Sequence, residues 1–181
     1  IKELPDSSLA DIFRAIELLG KYTDRPKTAA GLVRALRRDL DRLSRRRPAR
    51  SLRVLVVVGA MPTVPGAVYV AGPGSYLDSI IRLAGHSNAL QGRLDRPWAQ
   101  VSVEALVAAG PEAILESRAD SSPAAMERLY RAWSDFAGSI PALRDRRICC
   151  IADESILIPG PRVNIALWRV MRALAGRGGA D

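Results

Sequence analysis

The segment Pro97-Trp98-Ala99-Gln100-Val101-Ser102-Val103-Glu104 concentrates the residue types most able to act outside the chain. Trp98 reads as a loop residue, where an indole can cover a flat ligand. Ser102 stands where a helix should begin. Glu104 falls in its first turn, where the helix dipole favours a carboxylate and a partner's arginine can reach it. The plain alternatives are an indole capping the core edge and a carboxylate that only serves its helix. Cys149 and Cys150 are adjacent, so in a strand they point to opposite faces. Bonding them would force a strained ring, and burial as two small hydrophobes is the simpler reading. A metal site needs more ligands, and the chain has one histidine. That residue, His86, follows a helix-ending glycine and reads as a surface loop residue. Gly72-Pro73-Gly74 suggests phosphate binding at a helix N-terminus, but the Lys-Ser/Thr of a P-loop is missing. With no nucleophile–base pair and no ligand cluster, an enzyme is not expected.

The elements that must position these residues follow from the apolar pattern. Ser8 and Asp11 have capping-box spacing after Pro5-Asp6-Ser7. Leu9, Ile12, Phe13, Ile16 and Leu19 then recur at helical spacing, with Gly20 as the expected close. A second helix is expected from near Asp24, with Pro26 in its first turn, to about Arg47, where Pro48 stops it. At about 1.5 Å per residue it is near 30 Å long. Its apolar stripe is Leu32, Val33, Leu36, Leu40 and Leu43. Arg53 to Gly59 is a continuous β-branched run, as in a strand buried on both faces. Further strands are expected at Val68–Ala71, Ala113–Glu116 and Arg147–Ala152. Helices are expected after Ser75, from Ser102 to Ala109, from Ser122-Pro123 to Trp133, and from Pro161 onward. This alternation predicts an α/β layer with a mainly parallel sheet over residues 51–176. The tail Gly176–Asp181 is expected to be loose.

Bulk properties limit the function classes. A chain of 181 residues with 48% hydrophobic and 25% charged residues can bury a core and is not a disordered tail. No apolar run approaches the roughly 20 residues needed to cross a bilayer. The start Ile1-Lys2-Glu3-Leu4-Pro5 has no signal-peptide pattern and no initiating Met, so the natural N-terminus is expected upstream. Net charge is +8, and most of the excess lies in residues 1–50. Its peak, Arg45-Arg46-Arg47 with Arg50, reads either as a nucleic-acid patch or as a solvated helix end facing the dipole. The absence of interleaved aromatics favours the second. No internal repeat is present.

Five segments in a fixed order carry a resemblance: Gly72-Pro73-Gly74-Ser75-Tyr76, Ala84-Gly85-His86-Ser87-Asn88-Ala89, Trp98 to Glu104, Gly110-Pro111-Glu112-Ala113-Ile114, and Pro159-Gly160-Pro161-Arg162. In this order they resemble the periplasmic binding proteins of cobalamin, ferric-siderophore and haem importers. The resemblance implies two α/β lobes joined by one long helix, with the ligand held between them. Residues 1–25 would be a remnant of the N-terminal lobe, 26–50 the bridging helix, and 51–181 a three-layer α/β/α C-terminal lobe, with the first lobe largely absent. It implies a ligand face made by Trp98, Tyr76, Ser75, Asp153 and Arg162. Glu104 would dock on arginines of the membrane permease, which works with ATPase subunits. The ligand would be a metal chelate, cobalamin favoured over a ferric siderophore or haem. The loop from Glu154 to Pro159 lacks aromatics and extra basic residues, which weakens a catecholate reading, and no haem-ligating Tyr or His is evident. A periplasmic or membrane-anchored exported location is implied, with no resident cofactor or metal, no nucleic-acid partner, and a homodimer of the short chain as one way to cover its cleft face.

Overall fold

The computed structural model describes residues 8–46, 48–58, 67–117, 120, 122–136, 138–151 and 153–175. The expected helix start at Pro5-Asp6-Ser7, the strand end at Ala152 and the tail Gly176–Asp181 lie outside them; the second helix ends at Ser44 rather than near Arg47, and the first strand at Val57 rather than Gly59. In chain order the elements are α1 (Leu9–Tyr22), α2 (Pro26–Ser44), β1 (Arg53–Val57), β2 (Ala67–Ala71), α3 (Tyr76–Leu83), β3 (Ser87–Asn88), β4 (Trp98–Ser102), α4 (Val103–Ala109), β5 (Ala113–Ser117), α5 (Pro123–Ala132), α6 (Pro141–Arg144), β6 (Ile148–Ile151) and α7 (Val163–Ala175). Short 3-10 turns span Ser134–Phe136 and Glu154–Leu157.

Local chemistry sets several boundaries. Ser8 and Asp11 close the expected capping box on α1. Gly20 does not end that helix, which runs on to Tyr22. A Cβ at Gly20 would lie 2.3 Å from the Ala29 Cβ, so the glycine is there to let α1 and α2 approach closely. The turn between them uses Asp24 at φ 55°. Pro26 opens α2 at its first position, where its missing N–H costs nothing. Gly110 caps α4 in the left-handed region at φ 55°, as its place before Pro111 suggests. The last helix begins at Val163 rather than Pro161, because Gly160–Arg162 forms a turn in which the Val163 N–H donates to the Gly160 carbonyl at 3.3 Å.

The six strands form one sheet in the order β4-β2-β1-β5-β6, with β3 also paired to β1. β1 runs parallel to β3 and β5, and β5 parallel to β6. β2 pairs antiparallel with both β1 and β4, so the β2–β4 side departs from a purely parallel layer. Side chains on β1 alternate faces. Val54 and Val56 join a core built with α1, α2, α3 and α7. Leu55 and Val57 join another on the opposite face, with Leu106 of α4, Leu129 of α5, Trp133 and Ala142 of α6. Helices therefore cover both faces, which is why β1 reads as an unbroken apolar run. Ile12 and Phe13 of α1 and Val33, Leu36 and Leu40 of α2 belong to the same core as the sheet. The three segments expected as remnant, bridge and lobe thus share one packed interior. Cys149 and Cys150 project into opposite cores. Burial pushes the Cys149 thiol up to about 11, which keeps it protonated and unreactive.

Candidate functional site

Trp98 is the first residue of β4, not a loop residue, and pairs with Ala71 of β2. The run Trp98-Ala99-Gln100-Val101-Ser102 reads weakly as a strand because its face is only half buried. The indole is partly buried and packs on the α3/α7 side of the sheet. Its ring lies 5.8 Å from that of Tyr76, tilted by 56°, a favourable aromatic geometry. Gly72 makes this approach possible. Its N–H donates to the Pro97 carbonyl at 2.8 Å, and a Cβ there would meet the Arg96 carbonyl at 2.3 Å.

Tyr76 and Ser75, expected on the cleft face, are buried instead. Tyr76 is 1% exposed, and its hydroxyl donates to the Ile156 carbonyl at 2.7 Å. It therefore acts as a backing plate for Trp98 and a tether for the turn at Glu154–Leu157. Ser75 is fully buried and caps α3: its Oγ accepts from the Asp78 N–H at 3.0 Å and donates to the Gly72 carbonyl at 2.8 Å. Asp78, also fully buried, accepts from the Gly74 N–H at 3.1 Å and pairs with Arg82 at 2.8 Å. Sequence spacing placed both residues on the correct turn but could not show what covers them. The Gly72–Ser75 turn therefore spends its polar groups on holding itself rigid.

Asp153 follows β6 at the carboxyl end of the parallel strands. Its backbone carbonyl accepts from the Ser117 hydroxyl at 3.1 Å, and its carboxylate forms an ion pair with Arg169 of α7. Arg169 carried no signal in the sequence beyond its charge. Arg162 is exposed in the turn before α7. The structure thus brings together Trp98, Tyr76 and the turn after Asp153 through the Tyr76–Ile156 bond, and leaves Arg162 exposed in the turn before α7.

Glu104 lies beyond the other end of β4. Residue Ser102, paired with Ala67, caps α4 through its Oγ, which accepts from the Ala105 N–H at 3.3 Å. Four residue steps separate Trp98 from Ser102, about 13 Å of strand. Val103, Leu106 and Ala109 bury the inner face of α4, while Glu104 is exposed. The Ser102 hydroxyl, then the residue's own amide, hold the Glu104 carboxyl below the usual carboxylate range. It is therefore ionised and presented to solvent, as expected from the sequence.

Two further features came from the fold. His86, read as a surface loop residue, is buried, and its Nδ1 accepts from the Leu52 N–H at 3.2 Å. Glu112 clamps the start of β1. It accepts from the Arg53 N–H at 3.0 Å and pairs with Arg50, and these contacts, the Arg53 amide foremost, hold its carboxyl low. The basic stripe of α2 is partly neutralised on its own helix, with Arg42 on Asp39 at 3.1 Å and Arg45 on Asp41 at 2.8 Å. Among the described residues, no group of three His, Cys, Asp or Glu side chains could hold a metal ion, and no helix is long and apolar enough to cross a membrane.

The described residues form an α/β/α sandwich with a long helix packed along it, with Trp98 at one end of an edge strand and the exposed Glu104 past the other. Residues 3–154 match the model of the family described as "Periplasmic binding protein", and the chain belongs to that family. It is similar to the vitamin B12-binding protein of Vibrio parahaemolyticus serotype O3:K6, at 26% identity over 90% of this chain and 55% of that protein. Among solved structures, it is similar to a possible iron-binding (periplasmic solute-binding) protein from Staphylococcus epidermidis, with TM-score 0.78 and 20% identity over 95% of this chain and 64% of that one. It is likewise similar to a periplasmic haem-binding protein of Vibrio cholerae, with TM-score 0.76 and 20% identity over 94% and 65%. The chain thus spans about half the length of the curated relatives it matches.

Proposed function

We propose that this chain is the C-terminal lobe and connecting helix of a substrate-binding protein that hands a metal chelate to an ABC importer. Cobalamin is the favoured ligand, with haem or a ferric siderophore next. The observation that carries the reading is the separation of two tasks along β4: a half-buried indole backed by Tyr76 at one end, and an ionised, exposed Glu104 past the other. Trp98 offers a flat apolar face to a planar macrocycle, and the tethered turn after Asp153 and the exposed Arg162 set its orientation. Glu104 meets an arginine of the permease, whose ATPase subunits drive transport. No bond is made or broken. The work is done outside the cytoplasmic membrane, in the periplasm or on a membrane anchor. The resemblance to a vitamin B12-binding protein supports the ligand class.

The test is a titration of the natural full-length protein with cobalamin, haem and a ferric hydroxamate, read by tryptophan fluorescence. One of the three quenches, and Trp98→Ala weakens it about 30-fold, the roughly 2 kcal/mol of a well-packed aromatic contact. No quenching by any of them, or unchanged affinity in the variant, overturns the reading.

A further inference from the structure

Delivery of a chelate makes no use of the basic stripe of α2. Lys27, Arg34, Arg38, Arg42 and Arg45 stand at i, i+7, i+11, i+15 and i+18, so they line one face of the helix over about 27 Å. All five are exposed, and the buried residues Ala29, Val33, Leu36 and Leu40 lie on the opposite side. Arg42 and Arg45 are paired with Asp39 and Asp41 of the same helix, at 3.1 and 2.8 Å. Among the described residues, no ion pair engages Lys27, Arg34 or Arg38. The helix itself does not call for these three charges. Cations near a last turn offset the negative end of the dipole, which accounts for Arg42 and Arg45. Lys27 sits in the first turn, where the dipole disfavours a cation and no acidic residue accompanies it. Arg34 and Arg38 are mid-helix, out of reach of either end.

The neighbouring helix supplies the apolar part of the same surface. Asp39 of α2 accepts from Asn164 of α7 at 2.9 Å. Four residues further on in each helix, Leu43 and Trp168 line one hollow together with Arg42 and Ile165. The two helices therefore run side by side in the same direction, and the outer face of α7 continues that of α2. Ile165 and Trp168 are 43% and 45% exposed and adjoin each other on that face. Arg169 is not counted with the cations, because Asp153 engages it. A row of cations beside an exposed aliphatic side chain and an indole fits an anionic lipid surface. The cations meet lipid phosphates, and the apolar groups enter the boundary between headgroups and acyl chains. A nucleic acid would use the cations but gains nothing from Ile165, and α2 places no aromatic among its cations on which a base could stack. Glu104 is not part of this surface, since α4 packs on the other face of the sheet from α2 and α7.

We propose that the outer face of α2 and α7 rests on an anionic bilayer, with Lys27, Arg34 and Arg38 over the lipid phosphates and Ile165 and Trp168 at the headgroup boundary. This goes beyond delivery of a chelate and does not depend on it. The test uses the 181-residue chain with vesicles of phosphatidylglycerol, and vesicles of zwitterionic phosphatidylcholine as their counterpart. At low salt, co-sedimentation shows saturable binding to the first and binding at least about ten-fold weaker to the second. The variant Lys27→Gln/Arg34→Gln/Arg38→Gln, whose changes are all exposed and leave the core intact, loses affinity on the order of 100-fold. Lipids brominated on the acyl chain report which residue enters. In the Trp98→Phe chain the emission of Trp168 is quenched on binding. In the Trp168→Phe chain that of Trp98 is not, and Trp133 is fully buried in both. Absence of saturable binding to phosphatidylglycerol, equal binding to phosphatidylcholine, or an unaffected triple variant overturns the proposal. So does quenching of Trp98 in place of Trp168, which would assign the lipid contact to the cleft face. Binding to a DNA duplex as tight as to the vesicles, at equal phosphate concentration, overturns it as well and assigns the stripe to a nucleic acid.

Discussion

Replacing Tyr76 with phenylalanine removes one oxygen and tests whether that residue holds the turn at Glu154–Leu157. The hydroxyl donates at 2.7 Å to the carbonyl of Ile156, a residue 3% exposed. Phenylalanine keeps the ring against Trp98, so the aromatic contact survives. What is lost is the partner of a buried carbonyl, a cost of about 1–3 kcal/mol because water cannot easily replace it. With a urea slope of about 1–3 kcal/mol per molar, the unfolding midpoint should fall by roughly 1 M, with the slope unchanged. The loss should also be local. Hydrogen exchange should accelerate at Ile156, whose N–H donates to the Asp153 carbonyl at 3.3 Å, before it changes at the β1 amides. A variant within about 0.5 kcal/mol of the parent, with the turn equally protected, would refute the assignment of Tyr76 as a tether and return it to the list of ligand contacts.

Other perturbations follow from the same structure. Gly20→Ala gains about 1 kcal/mol of helix propensity but drives a Cβ to 2.3 Å from that of Ala29, so thermal unfolding should show a net loss of about 1 kcal/mol. In a double-mutant cycle with Ala29→Gly the two changes should couple favourably, by about 1 kcal/mol, and strict additivity would refute the close-approach argument. Burial holds the His86 pKa below its ordinary 6.5, so the unfolded chain takes up this proton more readily. The contribution is complete above the unfolded value and disappears as pH falls through the folded one. His86→Asn, whose Oδ1 can accept from the Leu52 N–H, should flatten the stability profile on the acid side of 6.5. A profile as steep as the parent's would place the titrating group elsewhere.

Local signals carried far. The Ser8/Asp11 box, the Ser102 cap, the Gly110-Pro111 stop and the unbroken β1 run each specify an element through contacts a few residues apart. The alternation of strands and helices made the α/β/α layering legible, and the fixed order of five segments made the family legible. What spacing could not show has a different cause. Tyr76 is covered by Ile156, Asp153 is neutralised by Arg169, and His86 is engaged by Leu52. In each case the deciding partner comes from another element, and spacing within one helix or turn cannot name it. Trp98 was misread for a related reason. A half-buried edge strand pairs on one side only, so its apolar pattern is faint, and β2, its antiparallel partner, had to be in place before β4 could be seen.

The central claim is that one lobe presents an indole to a chelate at one end of β4 and, past the other end of that strand, about 13 Å long, a carboxylate to a membrane gate. Its most direct test is Glu104→Arg in the natural full-length protein, with ligand affinity and uptake into whole cells measured on the same preparation. The account predicts that uptake is abolished while affinity stays within about two-fold, because Glu104 is exposed and is held by Ser102 and its own amide. Normal uptake with the charge reversed would contradict it, as would a loss of affinity, which would move Glu104 from the gate to the ligand.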